Sequence, residues 1–477
     1  MSPVSRVLSI AASVALLIPF CSSAPNTVQN TSQKTNPAID SDIIVTAAPA
    51  YLPLAALRGE ERFPKGAQLL LVHAGKPESL VTGFAASADA NVSFDGKRVL
   101  FAGKQAATDP WQIWEMTLAD RSVRKLIAGA IDAIRPFYLP AGRLVFAQRT
   151  PQGFQLEAAG KDADHAMVLI DANAGSTLTQ LSFLAGSAIP SDVLADGRIL
   201  FESGFPLGSG STPEMYLIYS DGSGIESYRC DHGKARWGGR QLANGDVVFT
   251  HGASLSRFTS PLAHETPIAA PHAEYAGAIA ETASSAWLVS ARPAAGASYA
   301  LMQWKPGAIA MQTVLAESGE NLVDPVLVVT RNRPKRHPSG LHDWAYANML
   351  ALDARLSREG DLKTLPASVR LEMLDAGHPV VMGTAPIEPD GSFFVKTPAD
   401  KPIRFSLLDD KGVVLRQEHG WFWIRRGEQR ICVGCHVGPE RASENRVPAV
   451  LLRTTTPVDL TGAAKPEQPQ KKTPGGN

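Results

Sequence analysis

The sequence predicts an all-β chain: a β-propeller of about six blades, then a small antiparallel β-sandwich carrying a C-terminal CxxCH segment. Three observations predict this. Glycine and proline are plentiful, at 40 and 35 residues, which favours turns and short strands over long helices. A turn-plus-strand pattern recurs along the first two thirds of the chain. A second, non-repeating series of short strands follows and runs into CVGCH at 432–436.

The chain opens MSPVSRVLSIAASVALLIPFCSSAPN. Arg6 precedes an apolar run, Val7 to Phe20, of signal-peptide length and too short for a comfortable membrane span. Residues 1–24 are therefore expected to be an export signal. Cleavage near Ser23 or Ala24 suits the small-residue rule; the alternative is a lipidated Cys21, which would tether the chain. No other segment is apolar for long enough to span a bilayer. The expected location is periplasmic or at the cell surface. Residues 25–49, rich in Ser, Thr and Asn, read as a disordered linker, and residues 456–477 as a disordered tail.

Residues 50–330 carry the repeat. FDGKRVLFAG (94–103), LPAGRLVFAQ (139–148), LADGRILFES (194–203) and LANGDVVFTH (242–251) each place a turn glycine before an apolar run with a phenylalanine. Phe101, Phe146, Phe201 and Phe249 lie 45, 55 and 48 residues apart. A second strand-like run follows, as in WQIWEMTL, AMVLIDA and YLIYSDG; SSAWLVSA (284–291) reads as a degraded fifth copy. A period of about 40–50 residues suits a propeller blade, because a four-stranded sheet must stack on neighbours to bury both faces. The glycine takes the positive φ of the hairpin and the run after it forms a buried strand.

After Asn332 the character changes. RPKRHPSGLHDWAYANMLALDARLSREG reads as a proline-punctuated connection with a short helical stretch. Then ASVRLEML, PVVMGT, GSFFVKT, PIRFSLLD and GVVLRQ read as strands separated by tight turns. Ile403, Phe405 and Leu407 share one face. Residues 331–455 are thus a sandwich whose last strand, GWFWI, leads into the cysteine pair.

Cys432-Val-Gly-Cys435-His436 is the attachment pattern of a c-type haem. Two thiols three residues apart can each add to a porphyrin vinyl group, and the adjacent His436 presents its imidazole to the iron. Gly434 leaves room for the ring against the backbone. Export agrees with this, since covalent haem attachment belongs outside the cytoplasm. The alternative is zinc, held by Cys432 and Cys435 together with Cys230 and His232 from the CDH stretch. On GWFWI, Trp421 and Trp423 point one way and Phe422 the other, either walling the porphyrin or serving as sandwich core. Arg425, Arg426 and Arg430 are placed to pair with haem propionates. For the sixth ligand the candidates are His337, His342, His419 and His232, with His342 favoured because Asp343 beside it can orient the ring. No methionine follows His436, which excludes a standard small cytochrome c domain with a Met ligand further along.

The order DGSFFVKTPADKPIRFSLLD (390–409) then WFWIRRGEQRICVGCH resembles the hydrazine synthase alpha-subunit type of exported protein, over roughly Arg331 to Pro448. FDGKRVLF and IYSDGSG resemble TolB-type propeller repeats. The resemblance implies a propeller, a β-rich middle domain, haem carried covalently by Cys432 and Cys435, and His436 as a metal ligand. A hydrazine-forming subunit carries a further haem domain, whereas here there is one CxxCH; the fourth position after His436 is Glu440, so no tyrosine stands there as a ligand.

A formal net charge of zero gives no basic excess to neutralise phosphates, so nucleic acid is not an expected partner. No Ser-His-Asp order, P-loop or HExxH argues for a hydrolase. The expected function is electron transfer or redox chemistry by one covalent haem, with the propeller as docking platform for a redox partner protein. A haem enzyme with an open iron site, or a zinc-stabilised binding propeller, are the alternatives.

Overall fold

The structure is a computed structural model that describes residues 39–151, 153–160, 178–204, 212–229, 233–357, 360–434, 441 and 444–462. All of these belong to one compact unit. The expected signal at 1–24, Cys21, Cys230, His232, Cys435, His436 and the tail beyond Gly462 lie outside the described residues.

Six four-stranded antiparallel sheets form the propeller. Blades 2 to 6 span 86–127, 133–180, 188–227, 236–267 and 274–315. Blade 1 combines Ile43–Ala48, Gln68–His73 and Lys76–Ser79 with Asn321–Leu327, which supplies its innermost strand and closes the ring. Ile43–Ala48 is buried along its length, so the expected linker at 25–49 ends in a core strand. Its partner strand lies far along the chain, which local composition does not reveal.

The repeat phenylalanines Phe101, Phe146, Phe201 and Phe249 are fully buried on the second strand of blades 2 to 5. In blade 3 the strand after that is Gly153–Ala159; the AMVLIDA run lies outside the described residues. The innermost strand of every blade carries a register shift. At these bulges Asp324, Asp89 and Arg135 adopt positive φ, an unusual conformation for residues with a Cβ. The bulges turn charged side chains into the axis. Arg62, from the segment after the first strand, binds Asp89 at 2.5 Å and Asp324 at 2.6 Å, all with side chains 4% exposed.

The sandwich has two four-stranded sheets. One, in the order His378–Pro386, Ser368–Asp375, Ile403–Leu408, Val414–Gln417, is antiparallel throughout. The other, in the order Gln429–Cys432, Tyr346–Ala351, Phe393–Pro398, Val458–Asp459, is antiparallel at its centre and parallel at both edges. The edge strands arrive by long connections rather than hairpins, which permits the parallel direction. Tyr346–Ala351, in the expected connection, and Val458–Asp459, in the expected tail, are thus strands. Ile403, Phe405 and Leu407 point into the core with Leu371, Phe393 and Ile424.

Residues 328–340 strap the propeller on the side that faces the sandwich. Arg331 donates its backbone N–H to Phe94 O of blade 2, and Lys335 donates to Ala195 O of blade 4. Gly96 and Gly197, two of the repeat glycines, pack directly under Val329 and Lys335; a Cβ at Gly197 would collide with Lys335 O, and one at Gly96 would crowd the Val329 backbone at 3.1 Å.

Candidate functional site

The strand Gln429–Cys432 is an edge strand, parallel to Tyr346–Ala351 with Asn348 opposite Gln429 and Ala351 opposite Cys432. Alternation puts Gln429 and Ile431 outward, and Arg430 and Cys432 toward the interior. Cys432 is a free, half-buried thiol packed on the sandwich core. Burial pushes its pKa up, against the nearby Arg430 guanidinium. Beyond it, Leu352 and Asp353 donate N–H groups to Cys432 O (2.9 Å) and Val433 O (3.1 Å). At Gly434 a Cβ would stand 2.7 Å from Leu356 O and 2.8 Å from Asp353 O. The room that glycine leaves is therefore filled by the chain's own 353–356 turn, not kept for a flat ring.

The GWFWI segment is not a strand. Phe422 alone makes a bridge, to Ile403, and joins the sandwich core. Trp421 lies under the Arg404 guanidinium at 4.5 Å. Trp423 is completely buried in the core between blades 3 and 4, 6.2 Å from Phe183. The two tryptophans therefore do not form a common wall beside Cys432; the chain twists at the domain junction and sends Trp423 into the propeller.

The arginines serve the same junction. Arg425 binds Asp400 at 2.7 Å and Asp221 O at 3.2 Å, and lies over Phe183. Arg426, exposed, donates its backbone N–H to the same Asp400 at 3.1 Å. Arg430 donates to Ile225 O, while its Nη1 is buried without a hydrogen bond. Glu428 accepts N–H groups from Gly224 at 3.2 Å and Arg425 at 2.9 Å, and burial raises its pKa. The 221–225 loop of blade 4 thus grips the segment leading into CVGCH.

His342 sits on the outer face. Gln429 donates to its Nε2 at 3.0 Å, and its ring stacks on Trp344 at 4.3 Å. Gln429 lies about 10 Å along the strand from Cys432 and on the opposite face, which separates His342 from the thiol. His337 stacks on Tyr219 of blade 4 at 3.9 Å, and His419 is exposed. Flanking the Cys230–His232 stretch, Gly233 donates to Glu214 at 2.5 Å. Glu214 begins the strand Glu214–Ile218, whose far end leads to the 221–225 loop. The flanks of CDH thus belong to the opposite end of blade 4 from the loop that grips the Cys432 segment.

A polar cavity of about 240 Å³ adjoins the turn under Gly434, lined by Leu352, Asp353, Leu356, Asp390, Arg441, Glu444, Arg446 and Pro448. Its charges are paired: Arg441 with Asp361 at 2.6 and 2.9 Å, Arg446 with Asp390 at 3.3 Å, Arg355 with Asp353 at 2.7 Å. Asp390 also accepts from Ser392 and Ala449 N–H groups. Sequence reading did not single out these residues; the D-G-S turn at 390–392 was the available signal.

Residues 367–437, in the last quarter of the chain, match the family model described as hydrazine synthase alpha subunit middle domain. Hydrazine synthase subunit alpha of Kuenenia stuttgartiensis is 36% identical over 61 residues, which is 13% of this chain and 8% of that protein. The solved Kuenenia stuttgartiensis hydrazine synthase superposes with a TM-score of 0.74 at 17% identity, over 87% of this chain and 72% of that one. TolB from Acinetobacter baumannii matches over 61% of this chain and 67% of its own, with a TM-score of 0.44 and 10% identity.

Proposed function

We propose that this hydrazine synthase alpha-like chain is a redox protein or redox subunit carrying one c-type haem at Cys432 and Cys435, with His436 as axial ligand. The observation that carries the reading is the free Cys432 thiol at the end of an edge strand, inside a matched domain whose last residue lies one past CVGCH. These residues fit the group: a thiol outside any disulfide, beside the Arg430 guanidinium. Each thiol would add its sulfur and its hydrogen across one vinyl double bond, forming a thioether with no change in oxidation state. When bound, haem supplies a one-electron iron centre. The chain's own residues hold that centre: Glu428 and Arg430 fix the strand to blade 4, and the 353–356 turn sets the path after Cys432.

The position of the residues flanking CDH speaks against a four-ligand zinc site built from Cys230, His232, Cys432 and Cys435, since such a site needs all four within about 4 Å of one another. An enzyme with an open iron site is the second reading, favoured by the cavity beside the attachment segment, which has room for a small polar molecule. Haem attachment implies export to the periplasm or cell surface, with or without a lipid at Cys21. Among the described residues no helix is long and apolar enough to cross a membrane. A redox partner protein follows from the proposed role, and the matched relative is itself named as a subunit.

The test is the reduced pyridine-haemochrome spectrum and intact mass of protein matured in a periplasm. One haem of added mass, abolished by Cys432→Ala with Cys435→Ala, is expected. CO binding to the reduced protein would select the enzyme reading over the carrier. Absence of haem, with stoichiometric zinc, would overturn both.

A further inference from the structure

We infer that the sandwich-facing end of the propeller axis is a binding site for a small oxyanion, of the carboxylate or phosphate class, held by Arg240 and Arg331. Several buried arginines have a nitrogen without a hydrogen bond, among them Arg62, Arg135, Arg143, Arg229 and Arg430. Each of those has another hydrogen bond or ion pair through its guanidinium. Among the described residues Arg240 differs: its half-buried side chain has neither, and it rests only on the face of Phe137 at 4.9 Å. A buried polar group in a native protein is ordinarily satisfied, by protein, water or ligand.

Nearby carboxylates are committed elsewhere. Asp324 and Asp89 serve Arg62, and Glu202, which also acts electrostatically on Arg240, accepts the Gly238 N–H. Asp192, which acts electrostatically on both Arg240 and Arg331, accepts N–H groups from Val193 and Gln241 at 2.9 and 2.8 Å. Arg331 enters from the strap, lies on Phe94 at 4.9 Å, and bonds only Val92 O (2.8 Å) and Asn91 Oδ1 (3.4 Å), both neutral. Arg240 is the next-to-last residue of the inner strand of blade 5, Arg236–Gln241, and Arg331 anchors to blade 2; these blades are opposite one another in a ring of six. Two cations without carboxylate ion pairs therefore approach the axis from opposite sides, against one shared acid. A planar or tetrahedral oxyanion offers the paired acceptor oxygens that guanidinium groups recognise.

The test is titration of the full-length protein with inorganic phosphate and, separately, acetate, at ionic strength held constant with sodium chloride, read by calorimetry and melting temperature. Saturable binding of either anion is expected, and which one binds assigns the class. Arg240→Gln should weaken binding by about tenfold or more while leaving the circular dichroism unchanged. Arg240→Lys, which keeps the charge, serves if that variant fails to fold, and should bind more weakly than wild type. Wild-type protein that binds neither anion beyond the chloride control, or an Arg240→Gln protein that binds as wild type does, overturns the assignment.

Discussion

The propeller and the sandwich solve the same problem differently. Each blade is unable to cover its own faces, and the ring supplies the cover: successive blades share cores, and blade 1 is completed by the strand Asn321–Leu327. Charge completes the closure, because Arg62 and Arg135 tie Asp324 on the closing strand to Asp89 in blade 2. The sandwich instead has one core of its own and is fastened at the junction of blades 3 and 4 by a short segment, Trp423 to Arg430. The difference teaches where stability and function separate. The ring is held at many points, whereas the segment that would carry the haem depends on one junction.

Removing Arg62 should cost the propeller most. Arg62→Met leaves Asp89 and Asp324 buried and short of a partner, a loss of about 3–5 kcal/mol. Burial alone would raise the Asp324 carboxyl, but Arg135 and Arg62 outweigh it and hold it well below the usual carboxylate range. This stabilisation is present above the unfolded pKa and is lost as pH falls through the folded one, so wild type and Arg62→Met should converge in strong acid. Trp423→Ala, with a predicted loss of about 3–5 kcal/mol, should act on the junction. Urea unfolding with limited proteolysis distinguishes them: Arg62→Met lowers the propeller transition, and Trp423→Ala splits off an earlier one for the sandwich. A single transition, shifted alike by both, would mean that the two regions are one cooperative unit.

The junction also holds a titratable group. Burial raises the Glu157 pKa to about 7, opposed by Arg425. The folded state therefore keeps the proton that the unfolded chain releases near the ordinary value of 4.5, and stability falls as pH rises between those values. Glu157→Gln should flatten that decline and raise stability at pH 8 by about 1–3 kcal/mol. Identical urea midpoints for the two proteins across this range would remove Glu157 from the account.

The smallest effect separates two glycines of the same repeat. Gly197 and Gly245 share positive φ, but only Gly197 has strap backbone against it. Gly245→Ala should cost about 1–2 kcal/mol, for the conformation alone. Gly197→Ala adds the displacement of Lys335 and should cost clearly more, with faster cleavage within 328–340. Equal costs would show that the strap yields freely.

Much of this was legible from local pattern. The repeat spacing and the hairpin glycines give the blades, and alternation in PIRFSLLD gives the sandwich core face, because burial in a strand follows a period of two. The site was legible only as a motif. Trp423, Arg425 and Arg430 stand within ten residues of Cys432, and proximity suggested a haem pocket. Their contacts go instead to Phe183, Asp221 and Ile225, more than 200 residues earlier.

The sequence by itself determined the all-β class, the repeat that builds the ring and the cysteine spacing at 432–436, since each is written in neighbouring residues. Only the tertiary structure decided that Asn321–Leu327 closes blade 1, that Trp423 belongs to the propeller, that the CDH flanks and the Cys432 segment occupy opposite ends of blade 4, and that Arg240 makes no ion pair among the described residues. The physical reason is common to all four. Strand pairing, wedge packing and the matching of buried charges depend on which distant segments meet, and no local period records that.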